Sequence, residues 1–154
     1  MALIVQKYGG TSVASLDCIR NVAQRVKIEV DQGYQVAVVV SAMAGTTNDL
    51  INRSKKISDN FDKSELDVLL SSGEQISSAL LAGALVQQGI KARSWMGWQI
   101  PIFTNENHNS SKIMEIKTDE ILNFISKKGV AVITGFQGIS KHGRITTLGR
   151  GGSD

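Results

Sequence analysis

Three short apolar runs constrain this chain more than any other feature: Leu3 to Gln6, Gln35 to Ser41 with its three consecutive valines, and Val130 to Thr134. Runs this short and this uniformly apolar suit strands buried on both faces. Between the first two, Leu16, Ile19, Val22, Ala23, Val26 and Val30 recur at three- and four-residue intervals, which predicts a helix, and Gly33 is placed to stop it. Further helices are predicted over Asn48 to Ser58, over Ser64 to Gln88 with Gly89 at its end, and through Glu120, Ile121, Phe124 and Ile125. Strand and helix therefore alternate. That order favours an α/β fold, a three-layer sandwich around a mainly parallel sheet, in which ligands gather beyond the carboxyl ends of the strands.

Composition narrows the partners. With 42% hydrophobic and 20% charged residues over 154 positions, the chain can bury a core as one domain. Seventeen basic and 14 acidic residues leave a net charge of +3. The basic residues are dispersed, with Lys55-Lys56 and Lys127-Lys128 the only doublets, so nucleic acid is not an expected partner. The longest apolar stretch, Ala79 to Val86, falls far short of a membrane span, and "MALIVQKYGG" has no basic leader. Cys18 has no second cysteine to pair with, which fits a reducing, cytoplasmic setting; it lies on the first helix, where it is expected to pack. No repeat or proline-rich linker divides the chain, and the triplets Asn52-Arg53-Ser54 and Asn109-Ser110-Ser111 read as chance glycosylation patterns.

The glycine-rich patches follow predicted strands. In "KYGGTS", Lys7 to Ser12, a strand delivers a lysine and the pair Gly9 and Gly10 in front of a helix. Backbone amides beside a fixed ammonium would suit a phosphate, and a plain strand-to-helix turn accounts for the same residues. In "SAMAGTTNDL", Ser41 to Leu50, hydroxyls at a helix start can hold a carboxylate, or one of them can simply cap the helix.

Glu74 is different, because it interrupts the apolar stripe of the long helix in "LLSSGEQISSALL". At about 100° per residue it projects roughly 40° from Leu70 and roughly 20° from Leu81, towards the core. A buried carboxylate needs a cation opposite it, either an arginine in a structural ion pair or the ammonium of a ligand. The stretch "TLGRGGSD", Thr147 to Asp154, sets Arg150 among glycines; arginine grips carboxylate or phosphate bidentately, and Ser153 and Asp154 are residues that start helices. His108 and His142 stand far apart without cysteine or acidic ligands at metal spacing, so both read as ordinary loop residues and no metal site is expected. No GxSxG elbow or activated cysteine supports nucleophilic catalysis.

Taken in order and at these spacings, "KYGGTSV", "SAMAGTTNDL", "ELDVLLSSGEQIS", "GFQGI" and "TTLGRGGSD" resemble the N-terminal part of bacterial aspartate kinases, along the whole chain. The resemblance implies the amino acid kinase fold and transfer of a phosphoryl group from MgATP to the side-chain carboxylate of L-aspartate, opening lysine, threonine and methionine synthesis in a cytoplasmic homo-oligomer. It implies that Lys7, with Gly9 and Gly10, meets ATP phosphates, that Ser41 and Thr47 lie near the reacting carboxylate, and that Glu74 receives the substrate ammonium. Arg150 would take the α-carboxylate, Ser153 would add a hydrogen bond, and Asp154 would orient Lys7. Two departures stand out: Tyr8 where phenylalanine is usual, and "HNSSKI" from His108 in place of "HGNARI". The nucleotide-binding half and the C-terminal ACT domains of the family lie outside these 154 residues, so the chain alone is expected to be inactive as a kinase. A binding or assembly role, or a related kinase acting on glutamate or acetylglutamate, are the alternatives.

Overall fold

The computed structural model describes residues 1–154. In chain order its elements are β1 (Leu3–Tyr8), α1 (Leu16–Asp31), β2 (Gln35–Val40), α2 (Thr46–Ile57), α3 (Lys63–Gln87), β3 (Ala92–Trp95), β4 (Ile102–Thr104), β5 (Ile113–Ile116), α4 (Asp119–Ser126), β6 (Val130–Thr134), β7 (Gln137–Ser140) and β8 (Ile145–Thr147). The central sheet has the order β1-β2-β6-β3, and every pairing in it is parallel.

The period of two in the strands sorts the core into two layers. Val36, Val38 and Val40 of β2 and Val130 and Val132 of β6 point to one face, where they meet Ile19, Val22, Ala23 and Val26 of α1 and Leu81, Ala82 and Leu85 of α3. Ala37 and Ala131 point to the other, where Trp95, Ile100 and the α4 residues Ile121 and Ile125 cover them. Helices on both faces make the expected three-layer sandwich. Helix ends follow local chemistry: Ser15 Oγ accepts the Cys18 amide at 3.2 Å, Asp62 caps α3 through the amides of Ser64 and Glu65, and Gly33 and Gly89 supply the left-handed backbone that ends α1 and α3. Cys18, expected to pack, is only half-buried.

A second sheet, β5-β4-β7-β8, was not expected from the sequence. It is mixed: β4 pairs antiparallel with β5 and parallel with β7, while β7 and β8 form a hairpin. Its strands have only three or four residues each, too short to carry a period. This sheet delivers Thr147, and with it the glycine-rich segment that follows, to the end of the central sheet.

The long helix lies close against the segment after β2. A Cβ on Gly73 would sit 2.8 Å from Cβ of Ala42 and 3.3 Å from Cγ2 of Thr46, so only glycine permits this approach.

Candidate functional site

The carboxyl ends of β1, β2 and β6 open on one polar cavity of about 310 Å³. Lys7 comes from the end of β1, Ser41 to Gly45 from the segment after β2, and Thr47 and Asn48 from the first turn of α2. Glu74 projects in from α3, Phe136 from the β6–β7 connection, and Arg150, Gly151 and Ser153 from the segment after β8.

The segment after β2 is fixed by bonds to three neighbours. Ser41 donates its amide to the Tyr8 carbonyl at 3.1 Å, Ala44 donates to the Gly10 carbonyl at 3.1 Å, and Ser77 Oγ on α3 donates to the Ser41 carbonyl at 2.7 Å. Helix α2 begins two residues earlier than the sequence suggested. Its N-cap is Gly45, and no side chain caps it, so the first-turn residues Thr46, Thr47 and Asn48 are spared that task. The positive end of α2 therefore faces the cavity, where it favours an anion.

Glu74 is 3% exposed, and its two oxygens differ. Oε1 accepts the Ala42 amide at 3.1 Å, whereas buried Oε2 has no partner. Burial pushes the carboxyl from its ordinary 4.5 up to about 7, against the opposing pull of the backbone amides of Glu74 and Ala42. The structural ion pair with an arginine, one of the two readings of this residue, is not formed. Arg150 instead donates from Nη2 to Asn48 Oδ1 at 3.2 Å. Lys7, which lines the cavity, is paired with Asp154.

Of the residues singled out in the sequence, Lys7, Gly10, Ser41, Thr47, Glu74, Arg150 and Ser153 line this one cavity, and Asp154 joins through Lys7. Gly9 does not line it; its carbonyl accepts the Ser12 amide at 3.0 Å in the turn after β1. Phe136 escaped the sequence reading. It lines the cavity with φ of 68°, a left-handed backbone that is rare for a bulky residue, pinned by the Leu148 amide on its carbonyl at 2.8 Å.

Asp67 was missed as well, and His108 must be corrected. Far from being an ordinary loop residue, His108 brings Nδ1 to 2.6 Å from Oδ2 of Asp67, which is fully buried. Asp67 also accepts from the Asn109 backbone amide at 3.0 Å, from Asn109 Nδ2 at 2.6 Å and from the Thr147 hydroxyl. The signal was present: Asp67 precedes Glu74 by seven residues, roughly 20° away on the helical wheel.

An acid with a free buried oxygen, an arginine, a lysine and an open helix terminus around one polar cavity can hold a small zwitterion that carries extra negative charge. The family model of the amino acid kinase family matches residues 2–154, and the chain belongs to that family. The aspartokinase of Geobacillus stearothermophilus is 51% identical over the whole chain, which spans 38% of that relative's length. Among solved structures, aspartate kinase from Synechocystis superposes with a TM-score of 0.84 at 42% identity over 99% of this chain and 24% of its own. Escherichia coli aspartokinase III, solved with aspartate and ADP, shares the fold at the same TM-score of 0.84 with 24% identity, over 99% of this chain and 44% of its own.

Proposed function

We propose that these 154 residues are the N-terminal, aspartate-binding part of an aspartate kinase, which transfers the γ-phosphoryl group of ATP to the side-chain carboxylate of L-aspartate. The observation that carries this reading is Glu74 Oε2, a buried carboxylate oxygen without a partner in the same cavity as Arg150 and Lys7. A ligand ammonium supplies the missing cation, and only then is the ionised form of Glu74 stabilised in place. Arg150 takes the α-carboxylate, with Ser41, Thr47 and Ser153 as hydrogen-bonding neighbours near the reacting end. Kinship with aspartokinases along the full 154 residues supports the choice of substrate.

The reaction needs no proton transfer. An oxygen of the ionised side-chain carboxylate attacks the γ-phosphorus, the bond to the β–γ bridging oxygen breaks, and ADP departs with that electron pair, leaving 4-phospho-L-aspartate. Lys7, held by Asp154, neutralises charge on the transferring group, and Gly10 lines the cavity beside it. Magnesium would arrive with the ATP phosphates and neutralise part of their charge. The adenine-binding half belongs to the remainder of a longer protein, and the 154 residues alone bind substrate without turnover. By the same kinship the longer enzyme is cytoplasmic, homo-oligomeric and sits at the entry to lysine, threonine and methionine synthesis.

Titration of the chain with L-aspartate, followed by amide chemical shifts, tests the reading. Saturable shifts at Ala42, Thr47 and Gly151 are expected, and succinate, which lacks the ammonium, should bind far more weakly. Equal affinity for the two would remove Glu74 from the role given to it. A second reading, an assembly module, is favoured by the outer edge of β1, where Leu3 and Val5 are exposed. Sedimentation of the chain as an oligomer that ignores L-aspartate would favour it.

A further inference from the structure

We propose that Asp67 is a positioning residue for substrate recognition: through Thr147 it holds the segment carrying Arg150 against the same helix that carries Glu74. It thereby sets the spacing between the group that reads the ammonium and the group that reads the α-carboxylate. The inference rests on the aspartate-site reading above.

Asp67 and Glu74 lie on one face of α3, two turns and about 10 Å apart along its axis. Glu74 faces the cavity, and Asp67 faces the second sheet. Thr147, the last residue of β8, donates its hydroxyl to Asp67 Oδ1 and stands three residues before Arg150. The Thr147 carbonyl is held from the other side by the Ser111 amide at 3.0 Å and the Ser111 hydroxyl at 2.8 Å. Ser111 belongs to the same connection as His108 and Asn109, and both of those also bond Asp67. One carboxylate thus gathers the two segments that flank the start of the Arg150 loop.

Burying a charge to hold a strand is a costly way to gain stability, since apolar packing at such a site is often neutral or better. What a saturated buried carboxylate does supply is a single register, because each donor fits at one place only. The β7–β8 hairpin is docked on α3 at two further points. Gln137 Nε2 donates to the Ser71 carbonyl at 3.0 Å, and Arg144 bridges to Glu65 at 2.7 Å near the start of the helix. With those ties intact, loss of the Asp67–Thr147 bond removes the direct link between α3 and the start of the Arg150 segment while leaving the hairpin attached.

The test compares L-aspartate with 3-aminopropanoate, which keeps the ammonium and the reacting carboxylate but lacks the α-carboxylate. Amide-shift titrations of the chain and of Asp67→Asn, Thr147→Val and Arg150→Ala report each affinity. Asp67→Asn and Thr147→Val are expected to lose about tenfold in affinity for L-aspartate and little for 3-aminopropanoate. In an Arg150→Ala background, Asp67→Asn should cost nothing further. Equal losses for both ligands, or additive losses in the double variant, would make Asp67 a general support of the fold and overturn the proposal. Thr147→Val, a near-isosteric change on a strand, carries the test should Asp67→Asn fail to fold. No L-aspartate binding by the unaltered chain would instead defeat the reading of the cavity, and this inference with it.

Discussion

Replacing Glu74 by glutamine should stabilise the ligand-free protein and abolish its affinity for substrate. The carboxyl is raised from 4.5 to about 7. A unit of pKa corresponds to about 1.4 kcal/mol, so ionising Glu74 in the folded state costs on the order of 3 kcal/mol. The sign follows from proton counts. Between pH 4.5 and about 7 the folded state holds the Glu74 proton and the unfolded state has released it. Stability therefore falls as pH rises through this window, and the full cost is present above it. Glutamine keeps the acceptor for the Ala42 amide but cannot ionise. Urea denaturation of both proteins should give similar stabilities near pH 4.5 and a gap that widens in favour of Glu74→Gln by up to about 3 kcal/mol at pH 8. Binding runs the other way. A substrate ammonium needs the ionised acid, so L-aspartate affinity of the unaltered chain should rise with pH up to about 7 and then level off. Parallel stability curves for the two proteins would refute the argument, as would a glutamine variant that still binds L-aspartate with a pH-dependent affinity.

Arg150→Ala should weaken L-aspartate binding by roughly 10- to 150-fold, the range for about 1.5–3 kcal/mol of charge-assisted hydrogen bonding, and calorimetric titration measures it directly. In an aspartate kinase of the proposed kind that contains these residues, Lys7→Met should lower the rate of ADP formation by about 100-fold or more while changing L-aspartate affinity less than Arg150→Ala does; a coupled assay separates the two effects. Gly73→Ala forces a methyl to 2.8 Å from Cβ of Ala42 and should cost roughly 1–3 kcal/mol in chemical denaturation. Leu81→Ala empties a fully buried position between α1 and the central sheet and should cost about 2–5 kcal/mol by the same measurement.

Three of the four strands of the central sheet were legible as short apolar runs, and two of its helices are long enough to show their period, so β1, β2, β6, α1 and α3 lie within a few residues of where the sequence put them, whereas β3, "ARSW", carries no such run and was missed. The second sheet was not legible, since strands such as "IFT" and "ITT" contain too few residues to show alternation. Glu74 could be read from its angle on the wheel of α3. Asp67 obeys the same angle but lies in the first turns of the helix, where an acid is also explained by the helix dipole. The buried side of α3 is polar for half its length, with Asp67, Ser71, Glu74, Ser77 and Ser78 all covered, and serines in a helix do not announce burial. The Asp67–His108 contact joins residues 41 positions apart, and no local pattern carries that information.

The strand order also governs when the protein can become a protein. β6 lies between β2 and β3, so β3 has no neighbour in the sheet until the chain has been made as far as Val130. During synthesis β1, α1 and β2 can associate early and cover part of the Leu81–Leu85 face of α3, while β3 waits with Trp95 uncovered. Such late, non-local closure slows folding and prolongs exposure of apolar surface. The last strand of the sheet to leave the ribosome is the one that seals it, and the same closure brings the β6 end of the cavity into place.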